Sequence, residues 1–152
     1  MTNNDILRKI RYIFDINDAK MIRIFALADT KVNIGQVSNW LKSDDDEDFK
    51  EIYDIELASF LNGFINLKRG KKDGEQPNPE KSLTNNMKFR KLKIALNLRD
   101  DEIVEIFKLV DLRVSKSEIN ALFRNPKHSK YMVCKDQFLR NFLQGLQVKY
   151  KE

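Results

Sequence analysis

Cys134 and His128 are the only residues of their kinds in the chain. A Cys/His pair is the simplest nucleophilic arrangement such a sequence could build. It requires the two within hydrogen-bond reach and a third group to orient the imidazole. Nothing in the spacing supplies that third group, so Cys134 reads as a small core residue. One Cys and one His are also too few for a typical zinc ligand set. The run Asp44-Asp45-Asp46-Glu47-Asp48 is the other concentration of potential ligands. A calcium loop of the EF-hand type alternates its ligands around a central Gly and ends on Glu. This run has neither the Gly nor the spacing and reads as a solvated acidic loop. No Gly-rich phosphate loop and no nucleophile elbow occurs. The expectation is therefore a protein with no catalytic residues, no metal site and no cofactor.

Binding chemistry is better represented. Val32-Asn33 with Gln36-Val37 and Trp40-Leu41-Lys42 is matched by Val114-Ser115 with Glu118-Ile119 and Leu122-Phe123-Arg124. An apolar residue, a cap, an apolar position and a large apolar pair followed by a cation resemble the end of a DNA-reading helix-turn-helix. In that reading Gln36, Ser38, Asn39 and Lys42 face outward in the first half. Lys116, Ser117, Asn120 and Arg124 do so in the second. These types can bond phosphates and base edges. The turn position usually held by Gly carries Lys31 or Arg113, and the turn is longer than usual. An antiparallel helix pair with a capped second helix fits the same pattern.

Charge singles out the second half. Net charge is −2 over residues 1–70, zero over 71–84 and +7 over 85–152. A polyanion should meet the second half first. The candidate nucleic-acid contact is Arg113, Lys116, Asn120, Arg124, Lys127 and Lys130.

The elements that position these residues come from a duplication. A shift of 82 aligns residues 3–65 with 85–147 without a gap. Asn3-Asn4 falls on Asn85-Asn86, and Arg8-Lys9 on Arg90-Lys91. Asp18, Phe25, Asp29, Asp54, Phe60 and Gly63 fall on Asp100, Phe107, Asp111, Asp136, Phe142 and Gly145. The ungapped register points to a repeat. Each copy reads as four short helices with apolar residues at helical spacing. Leu7, Ile10 and Phe14 mark the first helix, Met21, Ile22, Phe25 and Ala28 the second. Val37, Trp40 and Leu41 mark the third, and Leu57, Leu61 and Phe64 the fourth. The spacings Asn33/Gln36 and Ser115/Glu118 are those of capping boxes. The paired Asp18/Asp100 and Asp54/Asp136 sit where caps or first-turn acids belong. Gly63 and Gly145 fall in mid-helix, which predicts a close backbone approach by another helix.

The linker, residues 70–84, holds two of the five glycines and two of the three prolines. Gly70 after Lys68-Arg69 predicts a helix C-terminus. The organisation is thus a first helical repeat over 3–69, a linker over 70–84 and a second repeat over 85–148. The fold class is all-α, with two tandem copies of a four-helix unit packed as one pseudo-symmetric helical domain.

Apolar residues make up 41% and charged residues 34% of the 152, the composition of an ordinary globular domain. No apolar stretch nears the ~18 residues of a membrane span. The segment Met1–Asp5 is polar, unlike a signal peptide. A lone cysteine fits a reducing cytoplasm.

Several stretches of the first half are distinctive: Asn3-Asn4-Asp5-Ile6-Leu7-Arg8 with Arg11-Tyr12-Ile13, and Ser59-Phe60-Leu61-Asn62-Gly63 with Lys68-Arg69-Gly70. In the second half they are Val114-Ser115, Glu118-Ile119, Asp136-Gln137-Phe138-Leu139-Arg140 and Phe142-Leu143. On these residues the whole chain resembles the bacterial YehS-like family, a duplicated domain of unknown function. The resemblance implies a small cytoplasmic bacterial protein and brings no established activity. Two functions stay open. One is a non-enzymatic module contacting nucleic acid through the basic second half. The other is a protein–protein adaptor, or a homo-oligomer, without nucleic-acid binding. Apolar residues exposed on the fourth helices would favour the adaptor.

Overall fold

The computed structural model describes residues 1–152. It is all-helical, with eight helices and no strand: α1 (Asn3–Ile13), α2 (Asp18–Leu27), α3 (Ile34–Leu41), α4 (Asp54–Arg69), α5 (Asn85–Leu96), α6 (Asp100–Lys108), α7 (Lys116–Leu122) and α8 (Asp136–Tyr150). Every helix of the first set begins 82 residues before its counterpart. The chain divides into two compact units, Met1–Leu83 and Thr84–Glu152.

In the first unit, Ile6, Leu7, Ile10 and Ile13 of α1 are buried, as are Met21, Ile24 and Phe25 of α2. Val37 and Trp40 of α3 and Leu57, Phe60, Leu61 and Phe64 of α4 complete the core. Phe25 lies 5.5 Å from both Trp40 and Phe60, centroid to centroid. Each such side chain contributes roughly 1.5–3 kcal/mol by leaving water. Trp40 is on the interior face with Val37, as its spacing predicts. The tightest crossing is α2 on α4. A Cβ added at Gly63 would lie 1.8 Å from the Ile24 carbonyl oxygen, so only a hydrogen fits there.

The second unit repeats the plan with different side chains. Phe89 stacks on Phe142 at 4.2 Å, and Ile103, Ile106, Phe107, Ile119, Leu122, Leu139 and Leu146 are buried around them. A Cβ on Gly145 would lie 2.6 Å from the Ile106 carbonyl oxygen. The two mid-helix glycines thus share one cause, backbone contact between the second and fourth helices of each unit.

The helix ends follow the sequence with one exception. Asp18, Asp54, Asp100 and Asp136 are each the first residue of a helix, the position favoured for an acid by the helix dipole. Both capping boxes form: Gln36 Oε1 accepts from Asn33 N–H at 2.9 Å, and Glu118 Oε1 from Ser115 N–H at 3.2 Å. Gly70 closes α4 at φ 94°. The exception is the turn after the second helix. Its left-handed residue is Asp29 (φ 56°) or Asp111 (φ 60°), not the position of Lys31 or Arg113. Thr30 N–H reaches the Phe25 carbonyl at 3.0 Å and Leu112 N–H that of Phe107 at 3.0 Å. These are six-to-one bonds that end a helix through a left-handed residue, with Asp in the place usually taken by Gly. Asp15 and Asn97 do the same after the first helices.

Residues 71–83 are tied to the first unit. Lys71 Nζ pairs with Asp29 at 2.9 Å, Gln76 Oε1 accepts from Asn66 Nδ2 at 2.8 Å, and Leu83 N–H donates to Asp54 Oδ2 at 2.8 Å.

Candidate nucleic-acid interface

The loop before each fourth helix is held by the second asparagine of its unit. Asn4 is 1% exposed and Asn86 7%. Asn4 Nδ2 donates to the carbonyls of Trp40 and Lys50, both at 2.9 Å, and its Oδ1 accepts from Ile52 N–H at 3.1 Å. Asn86 Nδ2 donates to Leu122 O (3.0 Å) and Met132 O (2.8 Å), and its Oδ1 accepts from Cys134 N–H at 2.9 Å. One amide therefore satisfies a carbonyl at the end of the third helix and two backbone groups of the loop that follows it. The neighbouring asparagine repeats the device at the helix start. Asn3 Nδ2 donates to Asp54 Oδ1 at 2.8 Å and Asn85 Nδ2 to Asp136 Oδ1 at 2.7 Å.

The two loops share a backbone and differ in charge. In the first, Asp46 N–H reaches Ser43 O, Phe49 N–H reaches Asp46 O, and Lys50 N–H reaches Asn39 O. In the second, His128, Tyr131 and Met132 make the equivalent bonds to Asn125, His128 and Ala121. On this common scaffold the first loop carries Asp44 to Asp48 and the second Lys127 and Lys130. His128 spends its Nδ1 accepting from Lys130 N–H at 3.0 Å. Cys134 is buried, and burial, helped by the nearby Asp136 charge, pushes its thiol up to about 12. No hydrogen bond joins Cys134 to His128, and no cluster of three or more His, Cys, Asp or Glu side chains is placed to hold a metal.

The six predicted contact residues divide by position. Lys127 and Lys130 are exposed on the loop. Lys116 and Asn120, four residues apart, share the exposed face of α7, and Arg113 is exposed in the turn before it. Arg124 is half-buried, just past the α7 C-cap at Phe123. None of these five cations has an acidic partner within ion-pair distance. The turn joining second and third helices spans residues 28–33 in one unit and 109–115 in the other. DNA-reading helix pairs use about 3–4 residues. With only seven residues in α7, the arrangement departs from a base-reading motif.

A cavity of about 540 Å³ opens beside Arg124. Its walls include Arg90, Met87, Pro126 and Tyr131. Arg90 Nη2 donates to Phe123 O at 2.6 Å, and its guanidinium lies 5.9 Å from the Phe123 ring centre. Arg90 was absent from the sequence-derived set. Its signal was present as the Arg8/Arg90 identity, visible once the partners of Arg8 are compared with what replaces them.

Apolar exposure on the fourth helices is slight. The large exposed apolar residues there are Ile55 at the start of α4 and Tyr150 at the end of α8. No helix is long and apolar enough to cross a membrane.

Comparison with known proteins returns the same duplication. Residues 3–70 and 85–151 each match the family described as "Protein of unknown function (DUF1456)". The chain is 44% identical over 147 residues to the "Uncharacterized protein YehS" of Escherichia coli (strain K12), covering 96% of this chain and 94% of that protein. No solved structure matches.

Proposed function

We propose that this chain, which belongs to the DUF1456 family, is a non-enzymatic module that binds nucleic acid through the phosphate backbone. The contact surface is Arg113, Lys116, Asn120, Arg124, Lys127 and Lys130 of the second unit. One observation carries the reading. The duplicated loops keep the same backbone hydrogen bonds, yet Arg8 and Lys42 meet carboxylates of the first loop while their counterparts Arg90 and Arg124 meet none in the second. In the first unit Arg8 meets Asp44 at 3.1 Å and Lys42 meets Asp48 at 3.6 Å. In the second, Pro126 and Lys130 stand where those acids were.

Clustered cations without internal partners attract a polyanion and release its counterions on contact. The long turn and short α7 favour contacts to phosphate over base readout, so binding should tolerate changes of sequence. The proposed setting is the cytoplasm, where Cys134 stays reduced. Fluorescence anisotropy with labelled duplex DNA and RNA at low salt tests this, comparing wild type with Lys127→Glu/Lys130→Glu. Binding by wild type and its loss in the variant supports the reading. No binding, or binding indifferent to the reversal, refutes it and favours a protein adaptor.

A further inference from the structure

Arg8 of the first unit and Arg90 of the second hold equivalent places and differ in their partners. Arg8 Nη2 donates to Asp5 Oδ1 at 2.7 Å and to Asp44 Oδ1 at 3.1 Å, while Nη1 donates to Lys42 O at 2.7 Å. Arg90 occupies the same place and keeps the bond to the third-helix end, now through Phe123 O. Both of its carboxylates are gone: Met87 replaces Asp5 and Pro126 replaces Asp44. The neighbouring pair changes in the same direction, since Lys42 with Asp48 becomes Arg124 with Lys130. The ion pair one turn further along the helix is retained, Arg11 with Asp18 at 3.5 Å and Lys93 with Asp100 at 3.7 Å. Of these paired positions, Arg8 and Lys42 lose their carboxylates in the second unit while Arg11 keeps its own. Arg90 lines a concave space of about 540 Å³, within the roughly 300–1,000 Å³ range of small-ligand sites.

A cavity of about 590 Å³ lies at the equivalent place in the first unit, where Asp44 lines it beside Arg8. We propose that Arg90 and Arg124 form a phosphate site in the cavity of the second unit, where an external oxyanion takes the part that the Asp44 carboxylate plays for Arg8. Two guanidinium groups suit a tetrahedral oxyanion, because each presents paired N–H donors to adjacent oxygens. Met87, Pro126 and Tyr131 give the site apolar walls, which lower the effective dielectric around the pair. As a site for backbone phosphate, this rests on the nucleic-acid reading above. As a phosphate site it stands on the geometry alone.

The test restores the missing acids. Met87→Asp/Pro126→Asp rebuilds around Arg90 the arrangement already present around Arg8, so the fold has a template for it. Arginine Nε–Hε signals are followed by NMR as inorganic phosphate is added at constant ionic strength. Arg90 and Arg124 should shift saturably in wild type, Arg8 should not, and the double variant should lose the response. No saturable shift, or an equal drift of all exposed arginines, would overturn the site. A stronger response to a peptide copying Ser43–Asp48 would overturn it in favour of an acidic protein ligand.

Labelled oligonucleotides separate the two readings. The restored-acid variant should bind them about tenfold more weakly at low salt. A phosphate response without oligonucleotide binding keeps the site for free phosphate and removes the nucleic-acid reading. Oligonucleotide binding that survives restoration but fails in Lys127→Glu/Lys130→Glu keeps that reading and overturns the site as a contact for backbone phosphate.

Discussion

Replacing Asn86 by Ala should free the loop that carries Lys127 and Lys130 while leaving every cation of the second unit in place. The side chain makes three hydrogen bonds at 2.8–3.0 Å from a site only 7% exposed. A net contribution of about 1 kcal/mol per bond gives roughly 3 kcal/mol, and three stranded backbone groups add to that. Single domains have about 0.05–0.15 kcal/mol of stability per residue, so this is a large fraction for a unit of such size. Cys134 reports the event locally, because its N–H is one of the three partners and its thiol is buried with its pKa raised to about 12. In the native protein the thiol should react with an aromatic disulfide only through opening of the loop. At 1.4 kcal/mol per decade, a loss of about 3 kcal/mol should speed that reaction roughly 100-fold.

Asn86→Asp should do worse at neutral pH, since a buried carboxylate would face the Leu122 and Met132 carbonyls. Its folded-state pKa would lie above its unfolded value. The penalty should therefore be fully present at neutral pH and shrink as pH falls through the folded value. Thiol reactivity equal to wild type in Asn86→Ala would refute the claim that this amide holds the loop.

Two further outcomes follow from the backbone. Gly63→Ala should destabilise by more than Gly145→Ala despite alanine's advantage of about 1 kcal/mol in helices, because its Cβ meets the Ile24 carbonyl at 1.8 Å against 2.6 Å for Ile106. Urea denaturation reads the difference, and equal midpoints would contradict it. Asp111→Val should cost about 1–2 kcal/mol, since a β-branched residue at φ 60° lacks the tolerance of Asp; Asp111→Gly should cost little, and thermal melts distinguish the two.

Much of this architecture was legible in the residues. The apolar spacing of Met21, Phe25, Val37 and Trp40 set out helix faces that the core confirms. The paired glycines announced a tight crossing before its partner was known. The asparagine latch was visible only as the identity of Asn4 and Asn86. Its partners are backbone groups 36 to 48 residues away, and backbone carbonyls leave no mark on a sequence. The left-handed turns hid for a similar reason. Asp15, Asp29, Asn97 and Asp111 take the conformation without the signature of Gly. Arg90 lies on the first helix of its unit, outside the turn, third helix and loop from which the candidates come. Its mark in the sequence is the loss of Asp5 and Asp44, the carboxylates that face Arg8, at Met87 and Pro126.

The central claim is that the basic face of the second unit meets phosphates. It is tested most directly by the slope of log binding constant against log salt for duplex DNA. Each phosphate contact contributes about 0.9 to that slope. Wild type should show a steep decline with salt, and Lys127→Glu/Lys130→Glu should be shallower by roughly 2 and weaker at every salt concentration. A wild-type slope near zero, or identical slopes for the two proteins, would contradict the account.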